Sequence, residues 1–234
     1  MSYSRLRTLV PAFLRRQVFY FESEIESRCT AYAASLPQGA LLLDAGAGES
    51  QYRHLFPQCR YTAVDLAVGD ASWNYSKLDA LANLLALPFR EDTFGAVLSI
   101  VTLEHVSDPL QALREMGRVS AKGAQLFLVV PMEWEVHQHP HDYFRFTRYA
   151  VEHLLRESGW RIARIDAGGG FFRLLSRRMM NALQFFPGPV MALLALFTVP
   201  AALLVGALDF LDQKRDYTLG YFVEAVREGE VRER

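Results

Sequence analysis

The chain has 234 residues, of which 51% are hydrophobic and 22% charged, and its 25 basic and 26 acidic side chains give a formal net charge of −1. These values are typical of a globular protein and exclude a disordered or collagen-like chain. The near-neutral total lacks the basic excess of a general nucleic-acid binder, so we expect no nucleic-acid partner. With only two cysteines, Cys29 and Cys59, the chain has no disulfide framework or cysteine-based zinc site, which fits a cytoplasmic location.

The N-terminal segment from Ser4 to Ser35 is predicted to be a partly basic, amphipathic helix. Its apolar stretch, Leu9 to Leu14, is too short for a signal peptide and is followed at once by arginines and glutamates. Two interpretations remain open for this helix. It either packs over one edge of the domain, or it is a membrane-surface or substrate-covering element.

From residue 40 onwards, short apolar runs alternate with helical patterns. Asp108 or Ser107 is predicted to cap a helix that begins at Pro109, and Lys122-Gly123 is predicted to turn the chain into the next strand. A further helix is predicted over Thr147–Glu157. The predicted strands are Ala40–Asp44, Arg60–Asp65, Phe94–Val101, Gln125–Val130, Trp160–Asp166 and Thr218–Arg227. Strands separated by helices at this interval indicate an α/β fold with a doubly wound, mostly parallel sheet.

Before the last predicted strand, the run from Phe185 to Leu208 contains no charged residue. If the last strand completes the sheet, both ends of the run lie on one side of any membrane, and two full crossings would need about 40 apolar residues. A shallow membrane hairpin broken near Pro200, giving peripheral contact through 185–211, is one interpretation. The other is a soluble helical cover or a homodimer interface.

A glycine turn follows the first predicted strand, in the stretch Asp44-Ala45-Gly46-Ala47-Gly48-Glu49-Ser50. A dinucleotide site would need a third glycine where Gln51 stands, and Asp44 would repel a phosphate at the turn. The Asp44 carboxylate suits a cationic group, and Asp65, at the end of the second strand, can accept hydrogen bonds from ribose hydroxyls. An adenosine with a cationic tail and no phosphate satisfies both acids, and S-adenosylmethionine is such a molecule.

The stretch from Leu41 to Gly123 resembles the class I S-adenosylmethionine-dependent methyltransferases of the type 11 group. The matching pieces are LLLDAGAGES (41–50), AVDL (63–66), LPF (87–89), FGAVLSIVTLEHVSDP (94–109) and REMGRVSAKG (114–123). The resemblance implies a Rossmann-like fold whose last strand is antiparallel. It also implies cofactor-binding roles for Asp44, Gly46 and Gly48 (methionine part), Asp65 (ribose), Asn83 or alternatively Asp79 (adenine amino group), Leu66 and Leu84 (adenine ring), and Val101 and Thr102 (methionine tail).

The segment from Pro131 to Thr147 follows the predicted strand Gln125–Val130 and is rich in imidazole, aromatic and charged groups. An alcohol or phenol acceptor must lose a proton during methyl transfer, and histidine is the usual base near neutral pH. We therefore predict His137 and His141 as candidate bases, with Asp142 as an orienting group and with Tyr143 and Arg145 positioning the acceptor. Alternatively, the last three residues only fix the loop and cap the next helix.

Two further interpretations concern histidines. His137, His139 and His141 could bind a metal, but no carboxylate or cysteine at matching spacing supports this, so no metal site is expected. His105, in the LEHV motif, either faces the cofactor or is structural at a helix entrance.

The predicted organisation has an N-terminal helical cover (1–37), a cofactor-binding core (38–173), an apolar helical insertion (174–215) and the last strand with its tail (216–234). The predicted function is methyl transfer from S-adenosylmethionine to an oxygen, or alternatively a nitrogen or carbon, of a small or lipid-linked acceptor, at the inner face of a membrane. The alternatives are an NAD-dependent oxidoreductase and a non-catalytic, methyltransferase-like membrane scaffold.

Overall fold

The computed structural model describes residues 12–70 and 72–228. The predicted N-terminal helix therefore falls partly outside the described residues, as do Arg5 and Arg7. The chain divides into two compact units. Among the described residues, the first unit, which we call the helical unit, contains 12–27 and 167–220, and the second, the sheet unit, contains 28–70, 72–166 and 221–228.

A seven-stranded sheet forms the centre of the sheet unit, in the order β3-β2-β1-β4-β5-β7-β6. β1 pairs in parallel with β2 and β4, β2 with β3, and β4 with β5, and the last strands are antiparallel. The strands are β1 (Leu41–Ala45), β2 (Arg60–Asp65), β3 (Ala80–Leu81), β4 (Phe94–Ile100), β5 (Ser120–Pro131), β6 (Trp160–Ala167) and β7 (Gly220–Arg227). The predicted fold class is confirmed.

The central strands are buried on both faces, which explains their near-continuous apolar sequences. Leu42 and Leu43 of β1 and Val97 and Leu98 of β4 have no solvent exposure. β5 begins at Ser120, five residues before the predicted start. Lys122-Gly123 therefore lies within β5 rather than before it, at an irregularity in the β4–β5 register.

The helix α3 (Pro109–Arg118) begins as predicted, because the Asp108 side chain accepts a hydrogen bond from the Gln111 amide and Pro109 occupies the first turn. The helix α4 (Arg148–Glu157) is capped in the same way by Thr147. After the glycine turn, by contrast, only a short 3₁₀ turn (Arg53–Leu55) forms, because Ser50 adopts a positive φ and Pro57 soon follows.

The N-terminal prediction is confirmed over the described residues, with one break. The helices α1 (Ala12–Val18) and α2 (Tyr20–Ser35) are separated at Phe19. The C-terminal half of α2 lies in the sheet unit, where Tyr32 donates a hydrogen bond to the Gln125 carbonyl at 2.9 Å and stacks on Phe127.

The helical unit also contains α5 (Phe171–Ala182) and α6 (Gly188–Ala207). α6 runs without interruption through Pro200, so the hairpin predicted to break there is wrong. Pro200 is exposed; it removes one backbone hydrogen bond and crowds the preceding turn, yet α6 continues through it. The glycine at 206 lets α6 approach α5 closely, since a Cβ there would lie 3.1 Å from Ser176 Oγ.

Candidate active site

The turn after β1, Gly46-Ala47-Gly48, has almost no side-chain atoms and lies at the carboxyl ends of β1 and β4. Gly46 has a φ of +84° and Gly48 of +51°, the left-handed region that favours glycine. A Cβ on Gly46 would lie 2.0 Å from Thr102 Cγ2, and Thr102 Oγ1 donates a hydrogen bond to the Gly46 carbonyl at 3.0 Å. Ligands of open α/β sheets bind at this edge, so the turn is placed to contact one.

Asp65 ends β2 directly beside this turn. Its Oδ2 accepts a hydrogen bond from the Gly48 amide at 2.9 Å, and its Oδ1 accepts one from the Ala67 amide at 2.7 Å. A carboxylate oxygen has a second lone pair, so both oxygens can still accept hydrogen bonds from hydroxyls. The structure brings Asp65 and the glycine turn together. Its contact with a ribose stays a prediction.

Asp44 lies in β1 and is buried, with its carboxylate accepting a short hydrogen bond from the Tyr61 hydroxyl. Burial raises the pKa of Asp44 to about 7; the Tyr61 hydrogen bond opposes this shift, and the nearby Asp65 charge adds to it. A cationic group beside the carboxylate would favour its ionised form. The predicted contact with the methionine amino group stays a prediction.

The residues predicted around adenine differ in their surroundings. Asn83 is exposed, and its Oδ1 accepts a hydrogen bond from the Leu85 amide at 2.9 Å, while Leu84 is buried and Leu66 is exposed. The competing candidate, Asp79, forms an ion pair with the Arg53 side chain and accepts a hydrogen bond from the backbone of β2. These contacts give Asp79 a structural role.

Val101 and Thr102 follow β4 at the same edge of the sheet. Val101 has a φ of +50°, which is uncommon for a β-branched residue, and its amide donates a hydrogen bond to the Val129 carbonyl at 2.9 Å. Backbone strain of this kind concentrates at functional sites. Because Thr102 contacts Gly46, the two residues adjoin the glycine turn, as predicted for residues beside the methionine tail.

The loop after β5 is organised by Asp142. Both of its carboxylate oxygens accept hydrogen bonds from the Arg145 guanidinium, at 2.7 and 2.8 Å, and Oδ2 also accepts one from the His137 amide at 2.8 Å. The Arg145 side chain holds the pKa of Asp142 well below its usual range. The Asp142 side chain is only 3% exposed, so this clamp is part of the loop's structure.

The two predicted bases have different surroundings. The His137 Nδ1 lies 3.5 Å from Asp142 Oδ2 and 3.0 Å from the Glu135 carbonyl. His141 lies on the exposed side of the loop, where its Nδ1 is 3.0 Å from the Tyr143 hydroxyl. Asp142 can therefore orient His137, whereas His141 and Tyr143 form a separate pair.

The sequence interpretation missed Glu104. It is fully buried in a 3₁₀ turn after β4, and burial raises the pKa of its carboxyl group to about 8. One potential ligand atom from each of Glu104, His105 and His137 lies within 4.8 Å of the others, a grouping that could hold a metal ion. An acidic residue beside a histidine in LEHV was the available signal, but nothing in the sequence indicated that His137 would join them.

The fold is that of the Rossmann-like α/β methyltransferases. A putative methyltransferase of Haloferax volcanii, solved in complex with the Trm112 methyltransferase activator, superposes with a TM-score of 0.58 at 17% identity, covering 92% of each chain. Phosphoethanolamine N-methyltransferase 2 of Haemonchus contortus, solved with S-adenosyl-L-methionine, gives a TM-score of 0.57 at 13% identity, covering 88% of this chain and 53% of that one.

Residues 43–128 match a family model described as a methyltransferase domain. The match agrees with the sequence resemblance to the S-adenosylmethionine-dependent methyltransferases of the type 11 group. It favours that class over the alternative of an NAD-dependent oxidoreductase.

A curated relative is a tRNA (carboxymethyluridine(34)-5-O)-methyltransferase of Arabidopsis thaliana, 30% identical over 108 residues, which covers 44% of this chain. This chain matches only 27% of that relative's length. The relative's name conflicts with our expectation of no nucleic-acid partner, so the acceptor has to be argued from this chain's own features.

Proposed function

We propose that the protein transfers the methyl group of S-adenosylmethionine to an oxygen of a lipid-linked acceptor at the cytoplasmic face of a membrane. The observation that carries this proposal is a long apolar helix, α6, exposed in a chain that contains a methyltransferase domain.

The residues at the edge of the sheet fit the cofactor chemically. The turn from Gly46 to Gly48 carries no side chain larger than a methyl group and is partly exposed, so a ligand can approach its backbone closely. Asp65 offers hydrogen-bond acceptors to a diol, and Asp44 offers a buried negative charge to an ammonium group. When bound, S-adenosylmethionine supplies an electrophilic methyl group on a sulfonium.

The loop after β5 is where we place removal of the acceptor's proton. His137 has an Asp142 carboxylate beside its Nδ1, which favours the tautomer whose Nε2 can accept a proton. Asp142 is itself fixed by Arg145, so the histidine is held by a rigid partner. Alignment of the acceptor oxygen with the methyl group would then account for much of the rate.

The helix α6 and the turn after it form a 24-residue span, Gly188–Leu211, whose most apolar 18 residues have a mean hydropathy of 2.4 and are only 11% buried. Large apolar side chains recur at helical spacing along its exposed face: Leu193, Phe197, Leu204, Leu208 and Leu211 are each between 41% and 73% exposed. So large an apolar patch marks an interaction surface rather than an ordinary solvated face.

The ends of this segment indicate peripheral binding rather than a crossing. The Gly168 amide donates a hydrogen bond to the Gly220 carbonyl at 2.8 Å. The two ends of the segment that contains α5 and α6 therefore lie side by side. A crossing by α6 would need a second spanning helix, but α5 is 12 residues long and contains three arginines. Both constraints are met if one side of α6 packs against α5 and its exposed side lies in the lipid layer.

The membrane part is tested by vesicle flotation with phosphatidylglycerol-containing liposomes. Replacing Phe197 and Leu204 together by glutamate should weaken binding at least tenfold, because two charges would enter the apolar layer. Tyr149→Glu, at an exposed aromatic residue of the sheet unit, is the matched control and should leave binding unchanged. A stable soluble dimer that does not bind liposomes would contradict the proposal and favour the homodimer interpretation.

The catalytic part is tested by incubating the protein with radiolabelled S-adenosylmethionine and a cell extract divided into lipid, small-molecule and RNA fractions. Label is expected in the lipid fraction. Label in the RNA fraction would contradict a lipid-linked acceptor and indicate an RNA acceptor. Calorimetry with S-adenosylmethionine, S-adenosylhomocysteine and NAD completes the test. Absence of cofactor binding would favour a non-catalytic scaffold.

A further inference from the structure

Three side chains from the loops after β4 and β5 converge without forming an ordinary hydrogen-bonded network. The His105 Nε2 lies 3.6 Å from Glu104 Oε1, and His137 places one ligand atom within 4.8 Å of atoms of both. The rings of His105 and His137 are perpendicular, with centroids 4.6 Å apart. Ligand atoms around a tetrahedral zinc ion lie about 3.4 Å apart, so only small movements separate this arrangement from a coordination shell.

The converging atoms lack partners of their own. Both carboxylate oxygens of Glu104 and the Nε2 of His105 are buried, and none has a hydrogen-bond partner. Glu104 has no solvent exposure at all. Buried polar atoms are nearly always paired, so a group of three that are not indicates a missing ligand.

The other nitrogen of each histidine is already engaged. His105 Nδ1 lies 2.6 Å from the His141 carbonyl, and His137 Nδ1 lies 3.0 Å from the Glu135 carbonyl. A carbonyl oxygen can only accept, so each Nδ1 carries the proton and each Nε2 keeps its lone pair. This is the tautomer that binds a metal through Nε2.

Asp142 stands behind both rings. Its carboxylate oxygens lie 3.9 Å from His105 Nδ1 and 3.5 Å from His137 Nδ1. Histidines that bind metals usually have a carboxylate or a carbonyl on the opposite nitrogen, which fixes the ring and increases its basicity. Here both histidines have both kinds of group nearby.

We propose that Glu104, His105 and His137 bind one divalent transition-metal cation, with zinc as the principal candidate. Two imidazoles and one carboxylate suit zinc in particular and leave a coordination position open. Bound there, the cation would neutralise the buried Glu104 carboxylate and accept the Nε2 lone pairs of His105 and His137. His137 would then act as a ligand rather than as the base.

The open position gives the site a use that rests on the proposed function. An acceptor hydroxyl bound there would lose its proton to water at lower pH than in solution. Its oxygen could then attack the sulfonium methyl, forming the oxygen–carbon bond as the carbon–sulfur bond breaks and S-adenosylhomocysteine leaves. The cation site itself does not depend on which acceptor the protein uses.

The test uses the full chain, stripped of metal with a chelator. Titration with Co²⁺, followed by its visible absorption, and with Zn²⁺ by calorimetry should give one equivalent bound. Glu104→Gln, which keeps the shape of the side chain, and His137→Ala, in a partly exposed loop, should each weaken binding at least tenfold. Asp142→Asn should weaken it by about ten- to a hundredfold while leaving the ligands in place.

His139→Ala is the matched control, since His139 is an exposed histidine of the same loop outside the cluster. It should bind the metal as the wild type does, and circular dichroism verifies that every variant is folded. No binding by the wild type, or equal binding by Glu104→Gln and the wild type, would overturn the inference. Affinity for S-adenosylmethionine, measured on the same samples, reports separately on the proposed function.

Discussion

Asp44→Asn is expected to abolish a proton release that accompanies cofactor binding below pH 7. Burial raises the pKa of Asp44 to about 7, so at pH 6 about nine carboxyl groups in ten carry a proton, and at pH 8 about one in ten. An ammonium group bound beside Asp44 favours the carboxylate. At pH 6 the amino group of S-adenosylmethionine is already protonated, so binding should release close to one proton, which comes from Asp44.

Calorimetry in two buffers of different ionisation enthalpy measures this proton release directly. At pH 6 the wild type should show a buffer-dependent binding enthalpy, whereas the binding enthalpy of Asp44→Asn should be nearly independent of the buffer. Identical enthalpies in both buffers at pH 6 would refute the contact between Asp44 and the amino group.

The same raised pKa has a consequence for stability without ligand. The folded state retains the Asp44 proton between about pH 4 and 7, where the unfolded state has lost it. The free energy of unfolding should therefore fall by about 1.4 kcal/mol for each unit by which the pH rises across this window. In Asp44→Asn this contribution should be absent, which urea unfolding at pH 5 and pH 7 can measure.

Three substitutions test the structure around the site and in the helical unit. Gly46→Ala should cost about 3 kcal/mol in chemical unfolding, because a Cβ would lie 2.0 Å from a threonine methyl at a φ of +84°; a loss below about 1 kcal/mol would show that the turn can relax. Arg145→Ala should cost about 2–3 kcal/mol at pH 7 by leaving the Asp142 carboxylate without its clamp. Because the pKa of Asp142 is lowered in the folded state, this cost should shrink as the pH falls below about 4, and a pH-independent cost would contradict it. Asp209→Ala should cost about 1–2 kcal/mol by removing hydrogen bonds from the first amides of α5, whereas Asp216→Ala, at a nearby exposed acid, should cost little.

The methyltransferase domain could be recognised from the sequence because its signals are local. The turn after β1 needs glycines because Gly46 and Gly48 adopt positive φ, and the sequence shows those glycines directly after the strand. Asp108 and Pro109 likewise fix the start of α3 within four residues. Sequence patterns predicted five of the six expected strands to within a few residues. For the central strands β1 and β4 the reason is that a buried parallel strand is apolar on both faces. β5 was longer than predicted because an irregularity let polar residues continue the pairing.

Other features depended on contacts between distant parts of the chain. Pro200 predicts a break by local rules, yet α6 continues through it and packs against α5. Glu104 and His137 are 33 positions apart, and only the adjacency of β4 and β5 brings their loops together. Local residue types thus determined the glycine turn, the helix caps and the strand pattern. Only the packing of those strands decided which buried groups lack partners, because burial and pairing are properties of neighbours in space.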